Sequence, residues 1–581
     1  MIASFNRRSC HYLLLVVVSF LMFFLNLGDA FLWDVDEGRN AVCAMEMLAS
    51  GNWIVPTFNG NLRVDKPVLL YWLQMLAYKC FGINELAARL PSAVAALITV
   101  LCGYELGRSM FSRTTGLLTG IIVATTPMLC AAGRFANPDA LLNCFAALAL
   151  TIFWIGLNAR RGGWFVLLGG ACGLAALAKG PVGLVLPGAV GALFLLWNRQ
   201  WHIAWDRRWA TALLTFALVA LPWYLWVGAE TKGAFLSGFF VKHNFERGVS
   251  VMDAHPGFPG FYLAVLIVGT SPWSLFLGLS WWFGFWSAIR TPIGTESHTS
   301  ATGCQNPSQA FPARLANRLL TSESIVDDGP TAYRLLFSWI IVYVVFFSIA
   351  ATKLPNYVLP AVLPCVILIA RYLERWQSQA LHVPDWIGRA QVITLIVGGA
   401  TLAIGLAALG GVGEWSVLRN RFIPGMERWA FMGLIPISLG AAGWWFIRSK
   451  KRVGFTVALS LGTLLMFASF LAYGVALFNG GKAPQSLVEQ AGVYRPEEDI
   501  RVGSLKTNHL ASLNFYVKRQ VHELENEHAA AEFLDADLPV YLILPSNIWQ
   551  RLAGSLNRPV RVVGQHYDFY QNAEVVVVSN R

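Results

Sequence analysis

Three carboxylates stand together near the start of the chain, in the segment DVDEGRN at residues 34–40. Asp36 and Glu37 are adjacent, and Arg39 lies three residues after Asp36. A carboxylate at a reaction site can act as the general base that takes a proton from an acceptor hydroxyl. A solvated helix start is the alternative, since carboxylates are favoured at the positive end of the helix dipole.

Further candidate charges come from four distant segments. Asp139 and Arg134 share GRFANPDALLN, whereas Lys66, Lys179 and Lys353 stand in VDKP, LAKGPVG and TKLPNYVLP. Lys66 lies at a predicted helix N-terminus, where a cation is favourable if an anion sits between it and the free N–H groups. Lysines that reach the lipid headgroups, or plain charges at helix ends, are the alternatives.

The elements that must position these residues are apolar. The chain has 581 residues, of which 56% are hydrophobic and 13% charged, with a mean hydropathy of +0.52; soluble proteins carry about 25% charged residues. Runs of roughly 18 or more apolar residues recur, which is typical of a polytopic membrane protein. We predict thirteen spans, near residues 11–31, 87–107, 114–131, 140–158, 162–179, 181–197, 208–228, 261–288, 334–351, 356–374, 390–412, 427–447 and 452–478.

The basic residues predict the orientation. Arg7 and Arg8 precede the first span, and alternate connections are rich in arginine and lysine, which is typical of cytoplasmic loops. The N-terminus is therefore predicted inside and the tail outside, and the net charge of +11 follows from this rule rather than from nucleic-acid binding. The first apolar run is longer than that of a signal peptide, which disfavours cleavage there.

Three segments outside the spans differ in character. The loop 32–86 contains two amphipathic helices, the first ending near Gly51 and the second opening at Pro67, and we expect it to lie along the membrane surface. Segment 289–333, on the cytoplasmic side, is rich in Ser, Thr, Pro and Gly and is predicted to be a disordered insertion. Residues 480–581 alternate β-rich and helical runs, which predicts a small α/β domain after a membrane domain of residues 1–479. Whether Cys43 and Cys80 pair in a disulfide is left open.

In this topology all the candidate charges lie at the outer ends of spans or in outer loops. A transporter would place acidic groups near the bilayer centre, so the pattern favours a site at the outer surface. Several cations suit a substrate whose leaving group is an anion, because they stabilise the charge as it builds up. No P-loop is present and no nucleotide donor is available outside the cell, so the pattern predicts a lipid-linked donor, such as a polyprenyl phosphate that carries a sugar.

The quoted segments resemble a known family. DVDEGRNAVCAMEMLASGNWIVPTFNGNLRVDKPVLLYW is similar to the first outer loop of the aminoarabinose-transferase type of integral-membrane glycosyltransferase, which is related to the protein O-mannosyltransferases. LAKGPVGLVLP and KLPNYVLP match in the same order, and the resemblance covers roughly residues 10–370. It implies a GT-C fold, mostly α, in the bacterial inner membrane, with a polyprenyl-phosphate (undecaprenyl) sugar as donor and lipid A or another envelope glycan as acceptor.

The resemblance also implies roles for particular residues. Asp36 and Asp139 would be the acidic catalytic positions, and Lys66 and Tyr357 would help to hold the donor phosphate. A zinc-like divalent metal would be held by Asp65 and His255. The remaining charges, predicted to bind substrate, are Glu37, Arg39, Arg134, Lys179 and Lys353. The family usually has Glu where this chain has Asp65.

The sequence leaves the sugar and the acceptor open. The main hypothesis is an inverting transferase that acts on lipid A or lipopolysaccharide. A protein O-mannosyltransferase-like or other envelope-glycan transferase is the alternative within the family, and a lipid transporter or flippase is the alternative outside it. A phosphate acceptor is already a nucleophile, so with lipid A as acceptor Asp36 would position the substrate rather than remove a proton.

Overall fold

The computed structural model describes residues 2–34, 36–159, 162–246, 257–289, 329–381, 383–413, 423, 425–474, 479–493, 499–507, 510–556, 558–569 and 571–581. The α-helices are α1 (Ile2–Ser19), α2 (Asp36–Ser50), α3 (Leu69–Phe81), α4 (Glu85–Met110), α5 (Arg113–Ala124), α6 (Pro127–Arg134), α7 (Pro138–Ala159), α8 (Trp164–Lys179), α9 (Val182–Trp197), α10 (Arg208–Glu230), α11 (Ala234–Ser237), α12 (Phe261–Gly269), α13 (Leu277–Ile289), α14 (Pro330–Ile349), α15 (Val362–Gln377), α16 (Asp385–Leu409), α17 (Leu434–Arg448), α18 (Arg452–Ser469), α19 (Ala483–Ala491), α20 (Leu510–Val517), α21 (Glu527–Leu534) and α22 (Ser546–Leu552).

Shorter helical turns and seven strands complete the described residues. The 3-10 or π-helical turns are Phe20–Phe24, Trp201–Trp205, Gly238–Glu246, Trp273–Phe276, Pro355–Ala361, Met426–Gly433, Phe470–Gly474 and Ala553–Ser555. The strands are β1 (Thr57–Phe58), β2 (Asn61–Leu62), β3 (Arg501–Leu505), β4 (Val521–Leu524), β5 (Val540–Pro545), β6 (Arg561–Asp568) and β7 (Ala573–Ser579).

Each predicted span coincides with a helix or with a bent pair of helices. Within the described residues, eight helices are long and apolar enough to cross a membrane, and two bent pairs, α5 with α6 and α12 with α13, raise the number to ten. The three other predicted spans correspond to shorter apolar helices, Arg8–Phe24, Trp164–Lys179 and Val182–Trp197. The mostly helical membrane fold is confirmed, whereas the count of thirteen stays a prediction.

The loop 32–86 contains the two helices that the sequence predicts. Helix α2 is followed by Gly51, whose φ of +68° suits glycine. The two-residue strands β1 and β2 pair across a turn at Asn59 and Gly60, both with positive φ, as this type of tight hairpin requires. Helix α3 follows, and its buried residues pack against those of α2.

A buried ion pair fixes the start of α2 to the membrane part. The guanidinium of Arg89 in α4 donates to both carboxylate oxygens of Glu37, over 2.7 and 2.8 Å, and the two side chains are 2% and 1% exposed. Burial alone would raise the pKa of the Glu37 carboxyl, but the charge and hydrogen bonds of Arg89 outweigh it, so this pKa lies below its usual value. Bidentate pairing of this kind is the strong form of a charged hydrogen bond.

The remaining polar atoms of this pair are also bonded. Arg89 donates to the carbonyls of Leu27, Ala30 and Phe31, so its donors also hold the end of the first helical segment. Glu37 accepts from the backbone N–H of Ala136, over 2.9 Å, and from that of Trp33. One buried pair therefore joins the first helix, α2, α4 and the entrance to α7.

The C-terminal strands form one mixed sheet in the order β4-β3-β5-β7-β6. Strand β3 runs parallel to β4 and β5, and β7 runs antiparallel to β5 and β6. Strands β5, β6 and β7 are the β-rich runs that the sequence predicts. We call residues 483–581 the C-terminal unit.

The period of two along β7 explains why both faces of this sheet are covered. Val576 and Val578 pack in the unit's own core with α21 and α22. Val575 and Val577 belong instead to the core that includes the first loop, where Val42 and Tyr71 lie. The unit is thus packed onto the loop rather than tethered beside it.

Polar contacts secure the same interface. The carboxylate of Asp34 accepts from the backbone N–H of Ser512, over 2.9 Å, and from the Ser512 hydroxyl. Tyr516 accepts from the N–H of Leu32 over 2.8 Å. Asp34 therefore binds the C-terminal unit, whereas Glu37 accepts from the backbone N–H of Trp33.

Two other expectations have different outcomes. Of the predicted insertion 289–333, residues 290–328 lie outside the described residues, and α14 already begins at Pro330. Cys43 and Cys80 are both free, the first buried and the second exposed. Burial raises the pKa of the Cys43 thiol to about 12, which disfavours the reactive thiolate.

We predict that Glu37→Gln destabilises the protein by about 3–5 kcal/mol, because it leaves the charge of Arg89 buried without its partner. The measurement is thermal unfolding of the detergent-purified protein. Glu527→Gln is the matched control, since the ion pair of Glu527 with Arg551 is solvent-exposed and its loss should leave the melting temperature unchanged. Equal melting temperatures for Glu37→Gln and the wild type would contradict the role given to this pair.

Candidate functional site

Asp139 is the centre of the polar cluster at the end of the protein that carries the C-terminal unit. It lies in the first turn of α7 and is 5% exposed. Lys179 forms an ion pair with one of its carboxylate oxygens, and the side-chain amide of Asn356 donates to the other over 2.5 Å. Three segments that are distant in sequence therefore converge on one carboxylate.

The sequence LAKGPVG explains how Lys179 reaches this position. Gly180 ends α8 with a φ of +85°, so the lysine occupies the last turn. Pro181 then starts the return into α9. A Cβ on Gly183 would lie within 2.6 Å of backbone atoms of α8, so only glycine allows this close return.

The segment KLPNYVLP supplies the other side of the cluster. Its 3-10 helix, Pro355–Ala361, directs Asn356 to Asp139 and places the ring of Tyr357 4.9 Å from the Lys179 ammonium. Tyr357 also packs against Phe347. The ring can stabilise the lysine charge by a cation–π interaction when the lysine is away from water.

A cavity of about 140 Å³ lies on one side of this cluster. Its polar wall combines two cations with an acidic residue and a histidine; these residues are Lys66, Lys179, Asp65 and His243. Tyr357 and Phe347 form part of the apolar wall. We call it the polar cavity.

A larger cavity, of about 540 Å³, lies on the other side. Asp139, Asn137 and Asn356 are its polar residues, and the rest of its wall is apolar, with Phe258, Phe261 and Met128 among the large side chains. We call it the apolar cavity. Asp139 and its two partners thus separate a charged space from an apolar one.

The structure places Asp36 and Arg39 on the exposed side of α2, where the Arg39 guanidinium lies 5.8 Å from the Phe58 ring. Asn40 in the same helix donates to the carbonyl of Ala136 over 2.9 Å. Because Ala136 lies three residues before Asp139, this contact and that of Glu37 hold the helix of Asp36 beside the cluster.

Arg63 is a buried cation that the sequence reading missed. It is 5% exposed, donates to Asn40 over 3.0 Å and lies 3.8 Å from the Asp65 carboxylate. Its charge also acts on Asp36. Among the described residues, two of its guanidinium nitrogens have no hydrogen-bond partner. The positive charge of Arg63 therefore interacts with the carboxylates of both Asp36 and Asp65.

The other predicted binding residues are not all at this cluster. The carboxylate of Glu37 is paired with Arg89 and accepts from two backbone N–H groups, so Glu37 has a positioning role in this structure. Arg134 donates to the carbonyls of Asn26 and Met22, and it lines a different cavity. Lys353 donates to the carbonyl of Ala350, at the edge of the polar cavity.

Of the two predicted metal ligands, Asp65 and His255, the structure describes Asp65. His255 lies outside the described residues. Asp65 instead contacts His243, whose Nε2 is 3.1 Å from a carboxylate oxygen. A carboxylate and an imidazole are donor types that zinc accepts, but no group of three such residues occurs among the described residues.

Some of the residues that sequence analysis did not single out nevertheless carried a signal in the sequence. Arg89 interrupts an apolar helix, where an ionised residue is costly and implies a buried partner. Asn356 is next to Tyr357 in a segment already identified. Lys482 follows the last membrane helix and belongs to no recognisable sequence motif.

Comparisons with known proteins find relatives of the whole chain. Residues 65–226 match the family described as dolichyl-phosphate-mannose-protein mannosyltransferase. An undecaprenyl phosphate-alpha-4-amino-4-deoxy-L-arabinose arabinosyl transferase of Enterobacter sp. is 28% identical over 499 residues, which are 83% of this chain and 78% of that protein. Its namesake in Pseudomonas paraeruginosa is 29% identical over 465 residues, 75% of this chain and 76% of that protein.

Solved structures with a similar fold include those of the protein ArnT. The crystal structure of ArnT from Cupriavidus metallidurans bound to undecaprenyl phosphate superposes with a TM-score of 0.75 at 21% identity, covering 98% of each chain. The apo form of that protein gives 0.74, with 98% of this chain and 97% of that chain covered. The chain therefore has the fold of ArnT from Cupriavidus metallidurans, and its sequence is similar to those of aminoarabinose transferases over three quarters or more of its length.

Proposed function

We propose that this protein transfers 4-amino-4-deoxy-L-arabinose from undecaprenyl phosphate to a phosphate group of lipid A. The observation that carries the proposal is the position of Asp139, with Lys179 and Asn356, between a charged cavity and an apolar one. The donor and the sugar follow from the named relatives, and the chemistry of the two cavities supports them.

A polyprenyl phosphate sugar has three chemically distinct parts, and each has a matching surface. The isoprenoid chain suits the apolar cavity, whose wall is mostly hydrocarbon. The phosphate suits the junction, within reach of Lys179 and the polar cavity's Lys66. The sugar suits the polar cavity, where the aromatic ring of Tyr357 offers a face for stacking.

The reaction is a single displacement at the anomeric carbon. An oxygen of the acceptor phosphate attacks this carbon, and the bond to the polyprenyl phosphate oxygen breaks with its electron pair. The leaving phosphate gains negative charge, which Lys179 and Lys66 stabilise as it forms. The attacking oxygen is already anionic, so no base is needed, and the attack from the opposite face inverts the configuration.

The carboxylates then have another task. The proposed sugar carries an amino group, which is a cation at neutral pH, and carboxylates attract it. Asp36, at the start of α2, and Asp139, in the first turn of α7, are the two carboxylates that we assign to this task. With an acceptor hydroxyl, as in the protein O-mannosyltransferase-like alternative, one of them would serve as the general base instead.

We also propose the topology that this reaction needs. The N-terminus lies in the cytoplasm, and the C-terminal unit, with the cluster around Asp139, lies on the outer face of the bacterial inner membrane. The distribution of basic residues supports this orientation. Residues 1–479 would form the catalytic membrane domain and residues 480–581 the outer domain that packs on its first loop.

A divalent metal at Asp65 is a further proposal. Asp65 and His243 are adjacent donors in the polar cavity, and His255 is the histidine that the resemblance implies. A zinc-like ion there would act as a Lewis acid toward the phosphate oxygens. This chain's own contribution is the carboxylate and the imidazole that would hold the ion.

We predict that Asp139→Asn reduces lipid A modification roughly a hundredfold or more in cells that lack the native gene, because Lys179 loses its charged partner. The measurement is mass spectrometry of lipid A. Asp206→Asn is the control: Asp206 also pairs with an adjacent cation, Arg208, but outside the site. Lipid A that is unchanged by deletion of the gene would refute the proposed function itself.

Asp36→Asn should insert and fold normally, since asparagine is tolerated at a helix start, yet it should lower transfer by roughly a hundredfold. The rate is measured with purified enzyme, polyprenyl-phosphate donor and lipid A. Asp537→Asn, an exposed change in the C-terminal unit, should keep the wild-type rate. A wild-type rate for Asp36→Asn would remove this residue from the site.

For the metal, elemental analysis of tag-free protein should find about one divalent ion per chain. Asp65→Asn and His255→Ala should each lower that content, whereas His528→Ala, an exposed histidine of the C-terminal unit, should not. Metal content that is unaffected by Asp65→Asn would contradict the proposed site.

A further inference from the structure

A third cavity, of about 240 Å³, lies where the end of the first helical segment meets α6, the last membrane helix and the start of the C-terminal unit. Three cations line it: Arg89, Arg134 and Lys482. Most of the remaining wall is apolar or aromatic, with Trp33 and Phe470 among its rings. Cations in an apolar wall suggest a ligand that has both an anionic group and an apolar part.

The charges in this cavity are not all neutralised. Arg89 is paired with Glu37. Arg134 donates only to carbonyls, that of Asn26 over 3.0 Å and that of Met22 over 3.4 Å. Within the described residues neither Arg134 nor Lys482 forms an ion pair, although Glu37 and Asp34 act on Lys482, and Asp29 on Arg134, from a greater distance.

Lys482 is the more informative of the two. It is 3% exposed, its ammonium donates to the carbonyl of Phe31 over 2.6 Å, and it lies 3.9 Å from the centre of the Trp33 ring. Burial lowers the pKa of this lysine to about 7, because its charge is poorly solvated there. A bound anion would relieve this cost, and the ammonium has two further N–H donors to offer.

The position of the cavity connects it to the reaction. Pro127, Ala131 and Phe135 line both this cavity and the apolar cavity, so the two spaces share one wall. Asp139 lines the apolar cavity as well. A ligand held by Lys482 would therefore lie next to the space that contains the reacting groups.

We propose that this third cavity binds a phosphate monoester of the lipid acceptor, with Lys482 and Arg134 as its cationic contacts and the apolar wall receiving the adjoining lipid. The assignment rests on the proposed function, since that function names the acceptor. An anionic phospholipid of the membrane offers similar chemistry, and the experiment separates these two sources.

The first test measures transfer by the purified full-length enzyme, with separate KM values for lipid A and for the polyprenyl-phosphate donor. Lys482→Met and Arg134→Met should each raise the KM for lipid A about tenfold and leave that for the donor within about twofold. Lys482→Arg should restore the wild-type value within about threefold. Lys79→Met is the matched control, because Lys79 also lies over a tryptophan, Trp53, but is exposed.

The second test measures binding and needs no turnover, so it remains informative if the wild type transfers no sugar and the proposed function fails. Delipidated protein is titrated with phosphatidic acid, a lipid phosphate monoester, and with phosphatidylglycerol, a diester, by native mass spectrometry. We expect phosphatidic acid to bind more tightly than phosphatidylglycerol and to be displaced by lipid A. The Lys482→Met variant should no longer bind phosphatidic acid, while its melting temperature should equal that of the wild type.

Either of two outcomes would overturn the inference. One is equal binding of the two phospholipids with an unchanged KM for lipid A in both variants, which would make the cavity a site for membrane phospholipid. The other is a raised KM for the donor instead of the acceptor, which would place the donor phosphate there.

Discussion

The site depends on one buried ion pair, Glu37 with Arg89. Two ionised groups in an apolar interior are costly unless every donor and acceptor is used. Here the guanidinium also bonds the carbonyls at the end of the first helical segment, and the carboxylate also bonds the backbone before α7. The pair therefore acts as a joint at which four segments meet, and Asp36 and Asp139 stand on two of them.

The joint also extends to the C-terminal unit. Phe31, whose carbonyl accepts from Arg89, accepts from Lys482 as well. Asp34, two residues before Asp36, is bonded by Ser512. The C-terminal sheet thus braces the segment that carries the acidic residues, and its alternate valines on β7 are divided between the unit's own core and this contact.

Much of this arrangement could be predicted from the sequence, because the signals were local or periodic. Apolar runs gave the helices, Gly51 gave the end of α2, and a run of four valines gave β7. The ion pair of Asp139 with Lys179 joins two residues that the sequence had singled out separately. What could not be predicted is which partner each charge takes: Glu37 looked available to substrate, yet it is consumed by an arginine 52 residues away.

The meeting of residues in the third cavity had no local signal. Lys482 and Arg134 are brought to one cavity by the packing of the first helical segment, α6 and the last membrane helix, and neither periodicity nor spacing encodes that meeting. Arg63 reads in the sequence as an ordinary loop cation, and only its burial beside Asp65 indicates a role. Long-range pairing of charges is a property of the folded chain, so it becomes visible only in three dimensions.

The contact between Asp139 and Lys179 has a consequence for product release. In the proposed reaction the donor phosphate is a diester with one negative charge, whereas the polyprenyl phosphate that leaves is a monoester with up to two near neutral pH. Lys179 would therefore hold the spent carrier more strongly than the incoming donor. Asp139 competes for the same ammonium, and by reclaiming it the carboxylate can loosen the carrier and reset the enzyme for the next turnover.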